Sequence, residues 1–114
     1  MTTKTMKRND TLPALVVRVV DSNGDAVNLT DCAATFAMKK KGAAEVLFKS
    51  EATIVDPPTD GRIQYDWVTT DTETAGTYYG EFEILFGTDG VDGKMTLPSD
   101  SSLVIQINKD LDAE

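Results

Sequence analysis

The segment Asp71-Thr-Glu-Thr-Ala-Gly-Thr-Tyr-Tyr-Gly-Glu-Phe-Glu-Ile-Leu-Phe86 constrains the fold more than any other part of the chain. A turn at Gly76 feeds directly into a long alternation. Tyr78, Gly80, Phe82, Ile84 and Phe86 share one parity, while Glu81 and Glu83 take the other. Successive side chains of an extended strand point to opposite faces, so this pattern predicts a strand buried on one side with its carboxylates in water.

Similar alternation recurs along the chain. Leu15 to Val20 is an apolar, mostly β-branched run interrupted only by Arg18, and Asp21-Ser-Asn-Gly-Asp25 behind it carries the Asn-Gly turn signal. A short return runs through Ala26 to Leu29. Cys32, Ala34, Phe36 and Met38 then alternate with smaller or polar residues, and Lys39-Lys-Lys-Gly42 makes the next turn. Val46, Phe48, Ala52 and Ile54 are expected inward, against Glu45, Lys49, Glu51 and Thr53. Pro57-Pro58 ends that run, because neither residue donates a backbone hydrogen. Ile63, Tyr65 and Trp67 form a compact inward set, with Trp67 expected at the centre of the core. Thr70 to Thr74 is a helical turn at most. After the Tyr78 strand, Gly87-Thr-Asp-Gly90 and Asp92-Gly93 lead into Lys94 to Leu97, Pro98 to Ser102 breaks the pattern, and Leu103 to Ile107 closes the domain. Short strands at this spacing, with no sustained helical period, predict an all-β sandwich or barrel of seven to nine strands. The absence of β-α alternation and of a glycine-rich phosphate loop argues against nucleotide-binding folds.

At 114 residues the chain fits one domain, which should bury roughly two-thirds of the surface exposed when unfolded. The expected division is an arm or edge strand over 1–12, the sandwich over 13–108 and a polar tail over 109–114. A net charge of −8 repels phosphate backbones and anionic lipid surfaces. No nucleic-acid or membrane partner is therefore expected, and no signal peptide or membrane span is read in the N-terminus. The single Cys32 is read as a small buried apolar residue suited to a reducing cytoplasm.

The chain contains no histidine. That removes Ser-His-Asp and Cys-His catalysis and the commonest zinc ligand. Asp21, Asn23 and Asp25 have the alternate oxygen spacing of calcium loops, but the segment is too short for an EF-hand and reads better as a hairpin turn. Asp89, Asp92 and Asp100 could gather around a cation, yet read as solvated loop residues. Glu81 and Glu83 lie on the outward parity rather than in a cleft, which disfavours glycoside hydrolysis. Lys39 to Lys41 lacks interleaved aromatics and reads as a solvated turn rather than a nucleic-acid site. Catalytic, metal and cofactor residues are thus read as none. Tyr79 and Leu85 are apolar residues on the outward parity, and either a neighbouring loop or another subunit covers them. They are the candidate interface.

Tyr78, at the start of its strand and two residues before a small one on the same face, resembles the tyrosine corner of immunoglobulin-like sandwiches. A broader resemblance spans residues 8–108. Arg8-Asn-Asp-Thr11, Val16 to Thr30 with its Asp-Ser-Asn-Gly-Asp turn, and Ala34-Thr-Phe-Ala-Met-Lys39 resemble the opening of the immunoglobulin-like domain at the N-terminus of phage baseplate upper proteins and related tailed-phage structural proteins. Gly61-Arg-Ile-Gln-Tyr65, Ala75-Gly-Thr-Tyr-Tyr-Gly-Glu-Phe82, Asp92-Gly-Lys94 and Leu97-Pro98 continue it in the same order. The resemblance implies an immunoglobulin-like antiparallel β-sandwich and a non-enzymatic module that anchors or connects parts of the virion.

The expected core comprises Phe36, Ile63, Tyr65, Trp67, Tyr78, Phe82 and Ile84. The expected role is a virion structural protein of a tailed phage, made in the host cytoplasm and docking in multiple copies through strand edges and sheet faces. Its partners would be other virion proteins and itself. The chain's stop soon after the sandwich, without a long helical or receptor-binding extension, suggests an accessory, adaptor or joining protein. Residues 1–12 and 109–114 are expected to order on assembly. The alternative is a small ligand- or carbohydrate-binding sandwich, although only Tyr79 among the aromatics reads outward.

Overall fold

A computed structural model describes residues 2–87, 90–91, 93–97 and 103–109. Eight strands account for the regular structure: β1 (Thr2–Lys7), β2 (Leu15–Arg18), β3 (Cys32–Lys40), β4 (Phe48–Ile54), β5 (Arg62–Tyr65), β6 (Gly76–Phe86), β7 (Gly93–Leu97) and β8 (Leu103–Asn108). Two 3-10 turns, Pro58–Asp60 and Thr69–Thr72, complete it. The protein is all-β, as its alternating sequence predicts.

The strands follow one curled path, β1-β8-β6-β3-β4-β5-β2, with β7 beside β6. Two layers arise because β4 changes partner along its length. Phe48 to Ala52 pair with β3, whereas Thr53 and Ile54 pair with β5. The resulting β2-β5-β4 and β3-β6-β8 neighbours match the B-E-D and C-F-G arrangement of the immunoglobulin fold. One pairing departs from the antiparallel rule: β1 runs parallel to β8, from Thr2 opposite Leu103 to Lys7 opposite Asn108. β7 and β8 lie end to end along β6, since Leu97 faces Phe82 and Leu103 faces Gly80.

Phe36 stands at the centre of the core. Its ring contacts Phe82 at 4.8 Å, Tyr65 at 4.9 Å, Trp67 at 5.7 Å and Phe48 at 6.0 Å between centroids. Trp67 does not hold the central position expected for it, because β5 ends at Tyr65 and the indole packs edge-on from beyond that end. β3, lying between β6 and β4, carries the central ring instead. Ile63, Tyr65, Trp67, Tyr78, Phe82 and Ile84 are all buried around it. Val46 departs from its inward expectation: it precedes β4 and is exposed, as is Leu47. Cys32 is half-buried rather than buried, since it opens β3 at the rim.

Gly80 makes room for Phe36. A Cβ there would lie 2.8 Å from the ring carbons Cε1 and Cζ. Gly61 is constrained differently: its φ is +70°, and a Cβ would meet the Val19 carbonyl oxygen at 2.7 Å. Backbone cannot yield as a flexible side chain can.

Polar bonds close one end of the sandwich. The Tyr78 hydroxyl donates to the Thr74 carbonyl at 2.8 Å, the geometry of a tyrosine corner. The Asp71 carboxylate, almost fully buried, accepts from the Tyr65 hydroxyl at 2.5 Å and the Val68 N–H at 3.0 Å. Thr72, fully buried, donates to the Asp10 carbonyl at 3.0 Å, and its own carbonyl accepts the Asn9 N–H. Residues 2–7 therefore already form a strand in the single chain, with residues 9 and 10 tied behind them. Residues 110–114 of the expected tail lie outside the described residues.

Gly80→Ala is expected to destabilise the fold by about 1–3 kcal/mol through overpacking against Phe36, read as a lower midpoint in urea unfolding. A second expectation concerns Tyr65. Burial, reinforced by the Asp71 hydrogen bond, pushes its phenol above the ordinary range. The unfolded phenol loses its proton near about pH 10 while the folded one retains it, so stability should fall as pH rises above that value. Tyr65→Phe should flatten this alkaline slope in urea titrations at successive pH values, and an unchanged slope would remove Tyr65 as its source.

Candidate docking surface

Strand parity places Ala33, Thr35, Ala37 and Lys39 of β3 on the face opposite the core. Thr77, Tyr79, Glu81, Glu83 and Leu85 of β6 lie beside them. Glu83 is central to this face. Its carboxylate lies 3.5 Å from Lys49 Nζ of β4, beyond β3, and 3.9 Å from Lys94 Nζ of β7. It is therefore half-buried and paired rather than free in water, because one lysine reaches it from β7 alongside and another from β4 across the intervening β3. Glu81 remains exposed. The two carboxylates stand on an open sheet rather than across a cleft, so they have no enclosed volume in which to flank a glycosidic bond.

Tyr79 and Leu85 are both half-buried. Tyr79 sits between Lys39 of β3 and Val104 of β8. Leu85 sits between Ala33 and Lys94, and Gly90 packs against it: a Cβ on Gly90 would lie 3.1 Å from Leu85 Cδ2. The chain's own Gly90 thus covers part of Leu85. Tyr79 is flanked by no second ring in its register, and the aromatic contacts among the described residues gather around Phe36 inside the sandwich. A stacking platform for a sugar needs such a neighbour.

The other sequence candidates are occupied in turns or lie at rims. Asp21 closes the β-turn, accepting the Asn23 N–H at 2.9 Å and the Asp25 N–H at 3.1 Å through Oδ1. Asn-Gly tolerates the left-handed geometry this requires, with Gly24 at φ +84°. Lys40 and Lys41 belong to the turn before Gly42, where the Ala43 N–H donates to the Lys40 carbonyl. Among the described residues no three Asp, Glu or Cys side chains gather as a metal site. Asp89, Asp92 and Asp100 lie outside the described residues. Cys32 lines a shallow groove of about 310 Å³ where β4 parts from β3. Its thiol donates to the Thr30 carbonyl at 3.7 Å, and burial together with Asp31 pushes its pKa up. A raised pKa leaves less thiolate, the reactive form.

The sequence reading missed two features. Asp71 is a buried carboxylate in a Thr-rich turn, and its partner Tyr65 is six residues away. Val16 on the outer face of β2 and Val20 just beyond its end are apolar, with exposures of 50% and 45%. The unbroken apolar run from Leu15 to Val17 was the available signal, since a one-sided strand would have alternated.

No helix among the described residues is long and apolar enough to cross a membrane. No curated protein matches the chain. The model of the BppU N-terminal domain matches residues 2–111, which covers the curled sheet from β1 to β8. The chain belongs to this family, the N-terminal domain of phage baseplate upper proteins, a structural domain associated with the baseplate of the virion.

Proposed function

We propose that this domain is a non-enzymatic docking module that joins other virion proteins in several copies, using sheet edges and the outer face around Tyr79 and Leu85. The observation that carries this reading is the make-up of that face. It carries small residues Ala33, Thr35 and Ala37 along β3 with a half-buried tyrosine beside them, and its central carboxylate is held by Lys49 and Lys94. Such a surface offers an aromatic anchor within a polar rim, the usual anatomy of a protein contact. It offers no enclosed pocket with converging acid and base groups.

The open ends of the sheet supply the second means of attachment. β1 and β2 each have a neighbour on one side only among the described residues. Their free peptide groups can be capped by a strand from an adjoining protein. The overall charge of −8 favours protein contacts over nucleic acid or an anionic membrane surface. Synthesis in the host cytoplasm and assembly into the particle follow from the same reading.

Particles propagated with tagged wild-type chain should retain it through purification, in several copies per particle by quantitative mass spectrometry. Tyr79→Asp should lower that content by about tenfold or more, equivalent to losing roughly 1.4 kcal/mol or more of contact energy. Purified particles that lack the wild-type chain would sink the reading.

A further inference from the structure

The two ends of the sheet differ sharply in chemistry. β1, Thr2-Thr-Lys-Thr-Met-Lys7, carries two lysines, the usual guard against edge pairing. β2, Leu15-Val-Val-Arg18, and the two valines that follow are apolar apart from Arg18: Leu15 and Val19 are buried, while Val16 and Val20 are exposed outward. Leu12, before the strand, is also exposed, at 77%. The free hydrogen-bonding groups can be assigned by parity. Val17 faces Ile63, and the Val19 N–H donates to the Gly61 carbonyl at 2.6 Å, so odd-numbered residues turn their peptide groups towards β5. The peptide groups of Val16, Arg18 and Val20 therefore point away, to the edge that has no partner among the described residues.

We infer that this edge pairs with the same edge of a second copy, antiparallel and centred on Val16. The inference deepens the docking reading by naming one edge and one occupant. Three features of the sequence fit that twofold register. Val16 lies at the centre of the strand's outward row, so Val16 meets Val16 across the axis. Arg18 falls opposite Ala14, which keeps the two arginines apart. Pro13, which lacks an N–H, has odd parity and is not needed as a donor at this edge.

Charge complementarity selects the second copy over an unrelated strand. Leu15 faces Tyr65 on β5, and continuing that register puts Ala14 beside Asp66 on the outer face. Strands lie about 4.8 Å apart, so Arg18 of one copy is two strand spacings, or about 10 Å, from Asp66 of the other. Only the small Ala14 side chain intervenes. A guanidinium can reach across it to a carboxylate that already accepts Gln64 Nε2 at 2.7 Å. The twofold axis makes this contact twice, and the two sheets become one continuous sheet through β2.

Sedimentation equilibrium of the full chain should show a dimer forming at concentrations up to about 100 μM, as suits a small edge-to-edge contact. Arg18→Asp and Asp66→Arg should each weaken it by about tenfold or more through like-charge contact, and the double variant should restore it. Val16→Cys in a Cys32→Ser background should form an intermolecular disulfide on mild oxidation. Circular dichroism and melting temperature establish that each variant is folded. A chain that stays monomeric at that concentration, or a dimer that ignores both charge reversals and yields no disulfide in the Val16→Cys variant, overturns the inference. A monomer that still enters particles overturns it while leaving the docking reading intact.

Discussion

The close approach of Phe36 to the bare backbone of Gly80 determines how the two layers of this domain meet. β3 and β6 pair over nine residues, and Phe36 projects from the middle of that ladder towards β5. Its contacts with Phe48, Tyr65, Trp67 and Phe82 draw side chains from three other segments into one cluster. Aromatic groups bury more area per residue than aliphatic ones, so one such ring can hold a small core together. The ring can lie over Gly80 only because that position has no Cβ to collide with it. Strand pairing, ring packing and the absence of a side chain act as one constraint.

Around that centre, polar bonds hold the loops rather than the sheets. The Asp71 carboxylate links Tyr65 on one layer to the turn that leads into the other. Thr72 secures Asn9 and Asp10, and the Arg8 N–H donates to the Asn108 carbonyl. Placement of the N-terminal strand on β8 thus depends on bonds made by a turn more than sixty residues away. A buried hydroxyl or carboxylate left unpartnered costs more than a surface one, which makes these groups strict about their neighbours. The 3-10 turn at Thr69–Thr72 is accordingly part of the core end.

For a baseplate-associated structural domain, the surface matters through its edges and faces. The outer face of β3 and β6 is small, polar and charge-paired, with Tyr79 as its one large ring, whereas the edge of β2 is mostly apolar, with Arg18 as its one charge. These surfaces sit on different layers and suit different contacts. An assembly in which one edge joins copies and one face meets another protein would use both without competition.

The sequence by itself determined the strand alternations and most of their turns. Side chains of Tyr78, Phe82 and Ile84 face inward by parity alone, because a period of two leaves no other choice once one face is buried. Asn23-Gly24, Gly42 and Pro57-Pro58 mark turns through their own backbone preferences. The likeness to the baseplate family was legible in the order of such segments, none of which is distinctive singly. What parity cannot convey is which strands become neighbours. Only the tertiary structure decided that β1 lies parallel to β8, that β4 divides its pairing between β3 and β5, and that Phe36 displaces Trp67 from the centre. The outward parity of Tyr79 and Leu85 was equally legible, but the packing of Gly90 against Leu85 and the pairing of two lysines with Glu83 were not. Each of these depends on contacts between residues distant in the chain, where packing and hydrogen-bond satisfaction, rather than local preference, set the outcome.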